Sequence, residues 1–589
     1  MLVLGITDGI TCGAAVIADG RILAAVNEER LSRLKMAYGF PRQSIAEVLR
    51  LAKASPSDVD AVAAATISNH FFDGVKAFDG WLDDDRGFIR NSVFAVAGRL
   101  SSLIDTFPGL EPLYYTARSP IFAARRRAIR RILGEEFGIT APVEFVNHHL
   151  AHATSAYFTS GFDDATVVTM DGGGDGASSH VYEVRDGSFR RIGYTSAFNS
   201  LGNYYAYITH VCGFKAQKHE GKITGLAAHG EPKHLDLLDS FITFREGALL
   251  NVGRVAFSAA VERLRRSLPT SWRMEDLAAS IQRHSEQLAS RYVAHHLSPE
   301  RPRKLALAGG LFANVRINQE VSRIPGVERL FVHPGMTDGG LAVGAALATC
   351  MKNRKRNRME APAGILQDVY LGPEYSPVEI EEALRRHQLL FSRPTSIEAE
   401  VARLLAEGHV VARFDGRMEY GPRALGNRSI LYQPADRSVN DWLNKYLERT
   451  EFMPFAPSTL MEHAAASYET IEPALDAARF MTITYDCTSW MKRTCPGVVH
   501  LDGTARPQLV RREDNASYHR IIEEFRRRTG VPSVINTSFN MHEEPIVCSP
   551  EDAIRAFLQG HLDYLAIGDC LVSSPSGVGH PLSPMRHLE

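Results

Sequence analysis

Three histidines lie close together in the segment NHHLAHATSAYF, and their spacing suits metal binding. His148 and His152 are four residues apart, which places both rings on one face of a helix. A third ligand lies far along the chain, because Asp338 in HPGMTDGGLAVG occupies a glycine-rich loop before a helix. Imidazole and carboxylate ligands without a thiolate suit iron(II), manganese or zinc, and they leave positions for substrate oxygens. The sequence therefore predicts a metal site at His148, His152 and Asp338.

Two glycine-rich turns follow predicted strands and indicate nucleotide contacts. The first, MDGGGDG, supplies three glycines whose backbone N–H groups can face a phosphate: Gly172, Gly173 and Gly174. The second, LAGGLFAN, has Gly309 and Gly310 before a helix whose N-terminus, at Asn314, can face an anion or an adenosine. A simple tight turn would give either pattern, so the glycines alone leave both interpretations open. The chain has no GxxxxGK[ST] motif, which excludes a P-loop.

The bulk composition describes a globular protein with several domains. The chain has 589 residues, of which 44% are hydrophobic and 23% charged, and this length exceeds a single core. A net charge of −2 provides no field that would attract nucleic acid or an anionic membrane. One basic run, ARRRAIRRIL at 124–133, suits either a phosphate-binding patch or, more commonly, a solvated helix face. We therefore expect no nucleic-acid or membrane partner.

The cysteines and the apolar stretches indicate the compartment. Seven scattered cysteines without a CxxC pair favour a reducing cytoplasm over a disulfide framework. No apolar stretch reaches the roughly 18 residues that a membrane span requires. We expect a cytoplasmic protein, and the sequence leaves a homodimer open.

The order of elements predicts an α/β protein with an internal repeat. LVLGIT is a strand, and GAAVIADGRILAAV is a hairpin that turns at Asp19 and Gly20. The segment ATVVTMDGGGDGASSHVYEV has the same strand–turn–strand character, as expected when one α/β unit is duplicated. The polar segment NRKRNRMEAPAG then separates this part from a C-terminal part that is dense in Arg, Asn and Ser.

Several ordered motifs together resemble the O-carbamoyltransferase family, which includes enzymes of nodulation factors, tobramycin and cephamycin. The motifs are GRMEYGPRALGNRSIL, PFAPS, DGTARPQ and NTSFNMHEEPIV, and with NEERLSRLK they cover nearly the whole chain. The resemblance implies an N-terminal actin/hexokinase-type (Kae1-like) two-lobed domain followed by a YrdC-like α/β domain. We expect the first domain at 1–355, a linker at 356–395 and the second domain at 396–589.

The same resemblance implies a reaction in two steps. The YrdC-like domain combines carbamoyl phosphate with ATP, together with Mg, to give carbamoyl-adenylate. The Kae1-like domain then transfers the carbamoyl group to a hydroxyl of a small acceptor, which we expect to be sugar-containing. Family members hold iron(II) with HxxxH and a distant aspartate, which match His148, His152 and Asp338 in this chain.

The chemistry of those substrates explains the side chains that we single out in the motifs. Carbamoyl phosphate and ATP are polyanions, so their site needs fixed positive charge, which arginine supplies as a bidentate fork. Amide and hydroxyl groups can recognise the planar carbamoyl amide. The family lysine and a second arginine are replaced here by Leu447 and Met453, with Lys445 and Arg449 close by. We therefore expect the first step to use Arg423, Arg428, Lys445, Arg506, Asn536 and Ser538.

The second step needs an activated hydroxyl. A metal can polarise an oxygen and orient the acceptor, and His149 is the local side chain that we expect to take the proton. The backbone N–H groups of Gly172 to Gly174 are expected to stabilise the leaving adenylate phosphate. Alternatives are a tRNA threonylcarbamoyl transferase, a sugar kinase of the same nucleotide fold, and a non-catalytic scaffold. The near-neutral charge disfavours the first, and the arginine-rich C-terminal motifs are unexplained by the second.

Overall fold

The structure is a computed structural model that describes residues 1–80, 111–298, 300–357, 366–448, 453–577 and 585. The chain forms two compact units. The first unit comprises Met1–Ala25 and Met36–Leu366, and the second comprises Val26–Lys35 and Gln367–Glu589. Both units combine helices with mixed sheets, which confirms the α/β fold class.

The first sheet contains the N-terminal hairpin and two parallel strands. Among the described residues its order is β3-β2-β1-β4-β5. Strands β1 and β2 are antiparallel, β2 and β3 are joined by the turn at Asp19 and Gly20, and β1, β4 and β5 are parallel. The central strands are almost wholly apolar because helices or neighbouring elements cover both of their faces. The bounds are β1 Leu2–Thr7, β2 Gly13–Ala18, β3 Arg21–Asn27, β4 Ala61–Ala65 and β5 Val143–Val146.

The second sheet of this unit repeats the topology of the first. In the described chain its order is β8-β7-β6-β11-β12, again an antiparallel hairpin ribbon followed by two parallel strands. This confirms the duplication that the sequence predicts and gives the unit its two-lobed, actin/hexokinase-type architecture. The bounds are β6 Asp164–Gly174, β7 Ala177–Arg185, β8 Ser188–Ser196, β11 Lys304–Ala308 and β12 Arg329–Val332, with a separate ribbon of β9 Thr243–Arg245 and β10 Ala248–Leu250.

Helices connect and cover these strands. In chain order they are α1 Glu28–Ser32, α2 Arg42–Ala52, α3 Glu111–Phe137, α4 His148–Ser160, α5 Leu201–Val211, α6 Glu220–Leu226, α7 Leu235–Asp239, α8 Phe257–Ser267, α9 Met274–His296, α10 Val315–Ser322 and α11 Leu341–Asn357. Of these, α1 belongs to the second unit.

Helices α4 and α11 cross closely, and this crossing determines where the predicted metal ligands meet. A side chain at Gly344 in α11 would lie 1.8 Å from the carbonyl oxygen of Ala151 in α4, so only glycine fits. The Thr154 hydroxyl donates a hydrogen bond of 2.7 Å to the Gly344 carbonyl. The start of α4 is thereby fixed against the start of α11.

The second unit is built on one mixed sheet. Within the described ranges its order is β18-β15-β19-β14-β13-β20-β21. Strand β14 runs antiparallel to β13 and β19, and β15 runs antiparallel to β19 and parallel to β18. The bounds are β13 Val411–Phe414, β14 Arg428–Tyr432, β15 Ala456–Leu460, β18 Gln508–Val510, β19 Ser533–Ser538, β20 Tyr564–Ile567 and β21 Cys570–Ser573, with a small ribbon of β16 Tyr485–Asp486 and β17 Thr504–Ala505.

The helices of this unit begin inside the stretch that we expected to be a linker, 356–395. Residues 358–365 of that stretch lie outside the described residues. From Gln367 onward the chain belongs to the second unit, and Pro377–Arg386 forms a helix with a Ser376 capping box. The helices are α12 Pro377–Arg386, α13 Ile397–Ala406, α14 Ser438–Tyr446, α15 Ala464–Ser467, α16 Leu475–Ala478, α17 Ser489–Thr494, α18 Ala516–Thr529 and α19 Pro550–Gln559.

Among the described residues, no helix combines the length and the apolar character that a membrane span requires.

Candidate functional site

The two histidines of the HxxxH motif lie in the first turns of α4. Asn147 caps this helix, because its side-chain oxygen accepts a hydrogen bond of 3.0 Å from the backbone N–H of Leu150. His148 and His152 are both buried, and their ring centroids lie 4.8 Å apart. The spacing of four residues thus brings the two imidazoles side by side, as the sequence predicts.

Two carboxylates face the Nε2 atoms of this pair. Oδ2 of Asp171 lies 3.1 Å from Nε2 of His152 and 3.4 Å from Nε2 of His148. Oδ1 of Asp338 lies 3.5 Å and 3.7 Å from the same atoms, respectively. One ligand atom from each of the four side chains lies within 4.8 Å of the others. Two imidazole nitrogens and two carboxylate oxygens fit a divalent transition metal.

Asp171 is the site residue that sequence reasoning missed. It is the first aspartate of MDGGGDG, a motif that we interpreted as a phosphate-binding turn. The sequence does not indicate that the end of β6, which carries Asp171, lies beside the histidines of α4. The signal available was the position of Asp171 at the end of an apolar strand that precedes a glycine turn, where a carboxylate is exposed to a site.

The electrostatics of the cluster favour a cation. Burial lowers the pKa of His148, but the carboxylates of Asp338 and Asp171 outweigh burial and raise that pKa to about 9. Burial raises the pKa of Asp171, but hydrogen bonds from His148 and His152 outweigh it and hold that pKa well below its usual value. The two carboxylates thus favour positive charge beside the histidines, which is the charge that a bound metal ion would supply.

The predicted nucleotide glycines lie around this cluster. A side chain on Gly174 would meet the His148 ring at 2.2 Å, and one on Gly309 would meet the Met170 carbonyl oxygen at 2.2 Å. Gly309 also has a φ of +105°, which favours glycine. A side chain on Gly310 would lie 3.0 Å from Oδ1 of Asp171. These glycines let both turns approach the side chains of the cluster closely.

The three glycines of MDGGGDG do not contribute equally. The backbone N–H of Gly172 donates a hydrogen bond of 2.6 Å to Oδ1 of Asp171, so it orients a carboxylate of the cluster. This corrects our expectation that the Gly172 N–H faces a phosphate. Gly173 and Gly174 complete strand β6, and their part in nucleotide binding stays a prediction.

Asn314 caps helix α10 and joins a buried polar network. Its Oδ1 accepts hydrogen bonds from the backbone N–H groups of Arg316 and Ile317 at 3.1 Å and 3.3 Å. Its Nδ2 donates to Oε1 of Gln282 at 2.7 Å. The side chain therefore already satisfies the helix N-terminus that we expected to face an anion.

His149 is not placed to take a proton from an acceptor. It is fully buried, its Nε2 donates to the Ala177 carbonyl oxygen at 3.0 Å, and its Nδ1 lies 2.9 Å from the Thr169 hydroxyl. Burial and the charge of His148 lower its pKa well below the usual value. Both nitrogens of this neutral ring are engaged within the fold, which argues against the general-base role that we expected from its position.

The C-terminal motifs converge at one end of the sheet in the second unit. Pairing of Ser429 with Ser538 places the loop before β14, which carries Arg423, at the end of β19 that carries Asn536 and Ser538. Strands β15 and β18 begin at this same end, which places Arg506 there as well. The antiparallel and parallel pairings thus gather residues that are more than 100 positions apart in sequence.

Asn536 occupies the centre of this cluster. It is buried, and its Nδ2 donates to Ser458 Oγ and Gln508 Oε1, both at 3.0 Å. Gln508 in turn donates to the Leu425 carbonyl oxygen at 2.8 Å. The amide is therefore oriented by its neighbours.

Arg428 has a different position from the one we expected. It is fully buried in β14, with its guanidinium 3.7 Å from the centroid of the Phe414 ring. It donates to four backbone carbonyls, those of Asp415, Gly416, Asn427 and Pro373. These contacts hold the strand ends together, so the guanidinium is committed to the fold and not presented to a phosphate.

Lys445 also differs from the expectation. It is exposed near the end of α14, with Nζ 5.9 Å from the centroid of the Tyr446 ring. This contact with a neighbouring ring on the helix surface gives no support to a role in binding carbamoyl phosphate. The neighbouring Arg449 lies outside the described residues.

Glu419 is a further residue that sequence reasoning missed. It is buried, and its Oε1 accepts hydrogen bonds from the backbone N–H groups of Leu425, Asn427 and Arg428 at 2.8 to 3.0 Å. A single carboxylate oxygen therefore shapes the GPRALGNRS loop. The turn formers in that loop indicated a special conformation but not the residue that holds it.

Relatives of known name match most of the chain. Nodulation protein NolNO of Sinorhizobium fredii is 32% identical over 573 residues, which cover 95% of this chain and 78% of that protein. Nodulation protein NolO of Bradyrhizobium diazoefficiens is 34% identical over 436 residues, which cover 72% of this chain and 78% of that protein.

Solved structures match the chain more distantly. Component A of (R)-2-hydroxyglutaryl-CoA dehydratase from Acidaminococcus fermentans is 19% identical, with a TM-score of 0.32, and covers 60% of this chain and 98% of that one. A ROK family glucokinase from Streptomyces griseus, in complex with glucose and AMPPNP, is 16% identical, with a TM-score of 0.27, and covers 59% of this chain and 98% of that one.

Two family models identify the class of this α/β protein. Residues 3–347 match the model of the carbamoyltransferase N-terminus, and residues 402–574 match the model of the carbamoyltransferase C-terminus. The chain belongs to the carbamoyltransferase family, and it is a carbamoyltransferase.

Proposed function

We propose that this enzyme is an ATP-dependent O-carbamoyltransferase that works through carbamoyl-adenylate and acts on a small, sugar-containing acceptor. The observation that carries the proposal is the cluster of His148, His152, Asp171 and Asp338 beside a glycine-rich turn. We assign adenylate formation to the second unit, for which the sequence predicts a domain at 396–589, and carbamoyl transfer to the first, for which it predicts a domain at 1–355.

The first step joins the carbamoyl group to AMP. Water cleaves carbamoyl phosphate to carbamate and phosphate, and a carbamate oxygen then attacks the α-phosphorus of ATP. A new P–O bond forms, and the bond to pyrophosphate breaks. Arg423 and Arg506, both partly exposed at one end of the sheet, supply positive charge for these anions. Asn536 and Ser538 supply amide and hydroxyl groups for the carbamoyl amide.

The second step transfers the carbamoyl group to a hydroxyl. The acceptor oxygen forms a bond to the carbamoyl carbon, the bond from that carbon to the adenylate oxygen breaks, and AMP leaves while the hydroxyl proton passes to solvent. A divalent ion, iron(II) in our proposal, supplies Lewis-acid polarisation when it is held by His148, His152, Asp171 and Asp338. Gly174 packs directly against the His148 ring, and we assign the backbone N–H groups of Gly173 and Gly174 to the adenylate phosphate.

Two substitutions separate the two steps. Arg423→Ala should stop the release of pyrophosphate that depends on carbamoyl phosphate, whereas Arg512→Ala, at an exposed arginine outside the motifs, should leave it unchanged. Asp338→Ala should retain pyrophosphate release within about threefold and reduce carbamoylation of an acceptor by at least about 100-fold, since one lost ligand costs several kcal/mol. Equal loss of pyrophosphate release and carbamoylation in Asp338→Ala would refute the assignment of the two steps to separate units.

Mass spectrometry of the products identifies the reaction itself. Carbamoyl phosphate, ATP and a panel of glycosides should give an acceptor whose mass increases by one carbamoyl group, together with AMP and pyrophosphate. Phosphate on the product would instead support a sugar kinase. A product that requires threonine and tRNA would support threonylcarbamoyl transfer.

A further inference from the structure

We propose that Arg125 is a positioning residue for the metal ligand His148 and that it acts through Thr66. This inference rests on the metal site of the proposed function. Arg125 belongs to the basic run ARRRAIRRIL, which by its sequence suits a solvated helix face or a phosphate patch. In the structure its side chain is only 1% exposed, so it is not available as a surface charge.

Arg125 forms a buried fork that joins three parts of the first unit. Its Nε and Nη2 donate to the two carboxylate oxygens of Asp8 at 2.8 Å and 2.6 Å. Its Nη1 donates to the Thr66 carbonyl oxygen at 2.6 Å, and Nη2 also donates to the Ala65 carbonyl oxygen at 2.8 Å. The guanidinium therefore fixes the backbone at the end of β4 with the full bidentate geometry that only arginine provides.

The guanidinium of Arg125 also lies 5.4 Å from the centroid of the Phe145 ring, and other arginines of the run contact the same ring. Arg126 and Arg130 lie 5.9 Å and 5.8 Å from the centroid of the Phe145 ring, and Arg131 forms an ion pair with Glu135 on the helix surface. The guanidinium groups of these arginines therefore pack along the surface of α3. Arg125 differs in that it donates to the carbonyls of Ala65 and Thr66, on the backbone that leads to the predicted metal ligands.

Thr66 connects this backbone to the metal ligand. Its hydroxyl oxygen lies 3.1 Å from Nδ1 of His148, which leaves Nε2 of the same ring directed at Asp171 and Asp338. Metal-binding histidines generally use such a bond at the second nitrogen to fix their tautomer and their ring orientation. In the described part of the chain, Nδ1 of His152 has no hydrogen-bond partner, so this device serves one histidine of the pair.

The backbone of Thr66 is strained in the conformation that places its hydroxyl beside His148. Thr66 has a φ of +66°, in the left-handed region that β-branched residues rarely adopt. Such strain persists where the surrounding structure holds it, and it occurs most often at functional sites. The bond from Arg125 to the Thr66 carbonyl holds one side of this strained residue.

Asp175 holds the other side. Its carboxylate accepts hydrogen bonds from the backbone N–H groups of Ile67 at 3.0 Å and Ser68 at 2.7 Å, directly after Thr66. The same carboxylate accepts a hydrogen bond of 2.8 Å from the backbone N–H of His148. Asp175 therefore ties the loop after β4 to the first residue of α4. With the loop held at both ends, the Thr66 hydroxyl has a fixed position relative to the His148 ring.

The test compares metal affinity among variants of Thr66. Thr66→Val removes the hydroxyl and keeps the branched shape, and it should weaken binding of Zn²⁺ or Mn²⁺ by about 10- to 100-fold, the usual effect of a lost outer hydrogen bond. Thr66→Ser keeps the hydroxyl and should bind within about threefold of the unmodified protein. Affinity is measured by competition with a chromophoric chelator, so the readout does not depend on activity. Equal affinity in Thr66→Val and the unmodified protein would overturn the positioning role.

A double substitution tests whether Arg125 acts through Thr66. Arg125→Lys keeps the charge opposite Asp8 but cannot bridge the carboxylate and both carbonyls, and it should weaken binding to a similar extent as Thr66→Val. The double variant should then lose little more than either single variant, because both remove one chain of contacts. If the double variant loses metal affinity by the product of the two single losses, Arg125 acts independently of Thr66 and the proposal is overturned. Absence of metal binding in the unmodified protein would instead refute the metal site itself, and normal release of pyrophosphate in every variant would show that the second domain is intact.

Discussion

Replacement of Asp171 by asparagine tests the proposed metal ligand that only the structure points to. The side chain keeps its size and retains Oδ1 as an acceptor for the Gly172 N–H, whereas the negative charge facing the histidines is lost. The carboxylate lies 3.1 Å and 3.4 Å from the two Nε2 atoms, so a cation bound by those nitrogens lies within a few ångströms of this charge.

The expected loss follows from that proximity. Two unit charges about 4 Å apart at an effective dielectric constant of about 20 attract each other by about 4 kcal/mol. The divalent charge increases this attraction, and the desolvation of the carboxylate on binding offsets part of it. We therefore expect a net loss of about 3 kcal/mol in metal-binding free energy, which corresponds to an affinity about 100-fold weaker.

The assay is a competition titration of metal-free protein with a chromophoric chelator and Zn²⁺ or Mn²⁺. Asp163→Asn is the matched control, since Asp163 is an exposed aspartate of the same unit. Circular dichroism should show that both variants are folded. An affinity of the Asp171→Asn variant within about threefold of the control would refute the assignment of Asp171 as a ligand.

Three further outcomes are expected from the geometry. Burial raises the pKa of Glu220 to about 7, so its protonated form favours the folded state below about pH 4.5 and this contribution is lost as the pH rises through 7. As the pH rises from 5 to 8, the free energy of unfolding of the Glu220→Gln variant, measured with urea, should therefore gain about 1–2 kcal/mol relative to that of the unmodified protein. A difference between the two proteins that does not change with pH would contradict the raised pKa. Arg428→Met should lower the free energy of unfolding of the second unit by about 3 kcal/mol, because four backbone carbonyls lose their donor. A loss of substrate affinity at unchanged stability would show that the guanidinium binds substrate instead. Gly174→Ala should displace the His148 ring and weaken metal binding by at least about 10-fold at nearly unchanged stability, whereas normal binding would show that the ring has room.

The sequence predicts the first unit well because its signals are local and periodic. Apolar strands, the turn at Asp19 and Gly20, and the recurrence of the same pattern near Asp164 are enough to indicate the duplicated sheets. The HxxxH spacing likewise fixes the relation of His148 to His152, because it depends on helix geometry alone. The identity of the ion is not contained in either pattern and stays a prediction.

The residues that sequence reasoning misjudged depend on long-range packing. Asp171 reaches the histidines only because β6 ends beside α4, and Arg125 is buried only because Asp8 and two strand-end carbonyls surround it. Arg428 resembles a ligand by its motif, but pairing in β14 turns it inward. Burial and hydrogen-bond partners of this kind arise from contacts between distant segments, which no spacing within a motif reveals.

An anomalous difference map from crystals grown with Mn²⁺ or Zn²⁺ tests the central claim most directly. We predict one strong peak at about 2.0–2.2 Å from Nε2 of His148 and Nε2 of His152, with carboxylate oxygens of Asp171 and Asp338 completing the coordination. A map in which the ion binds elsewhere, or in which the four side chains stay together without any ion at millimolar metal, would contradict the proposed metal site.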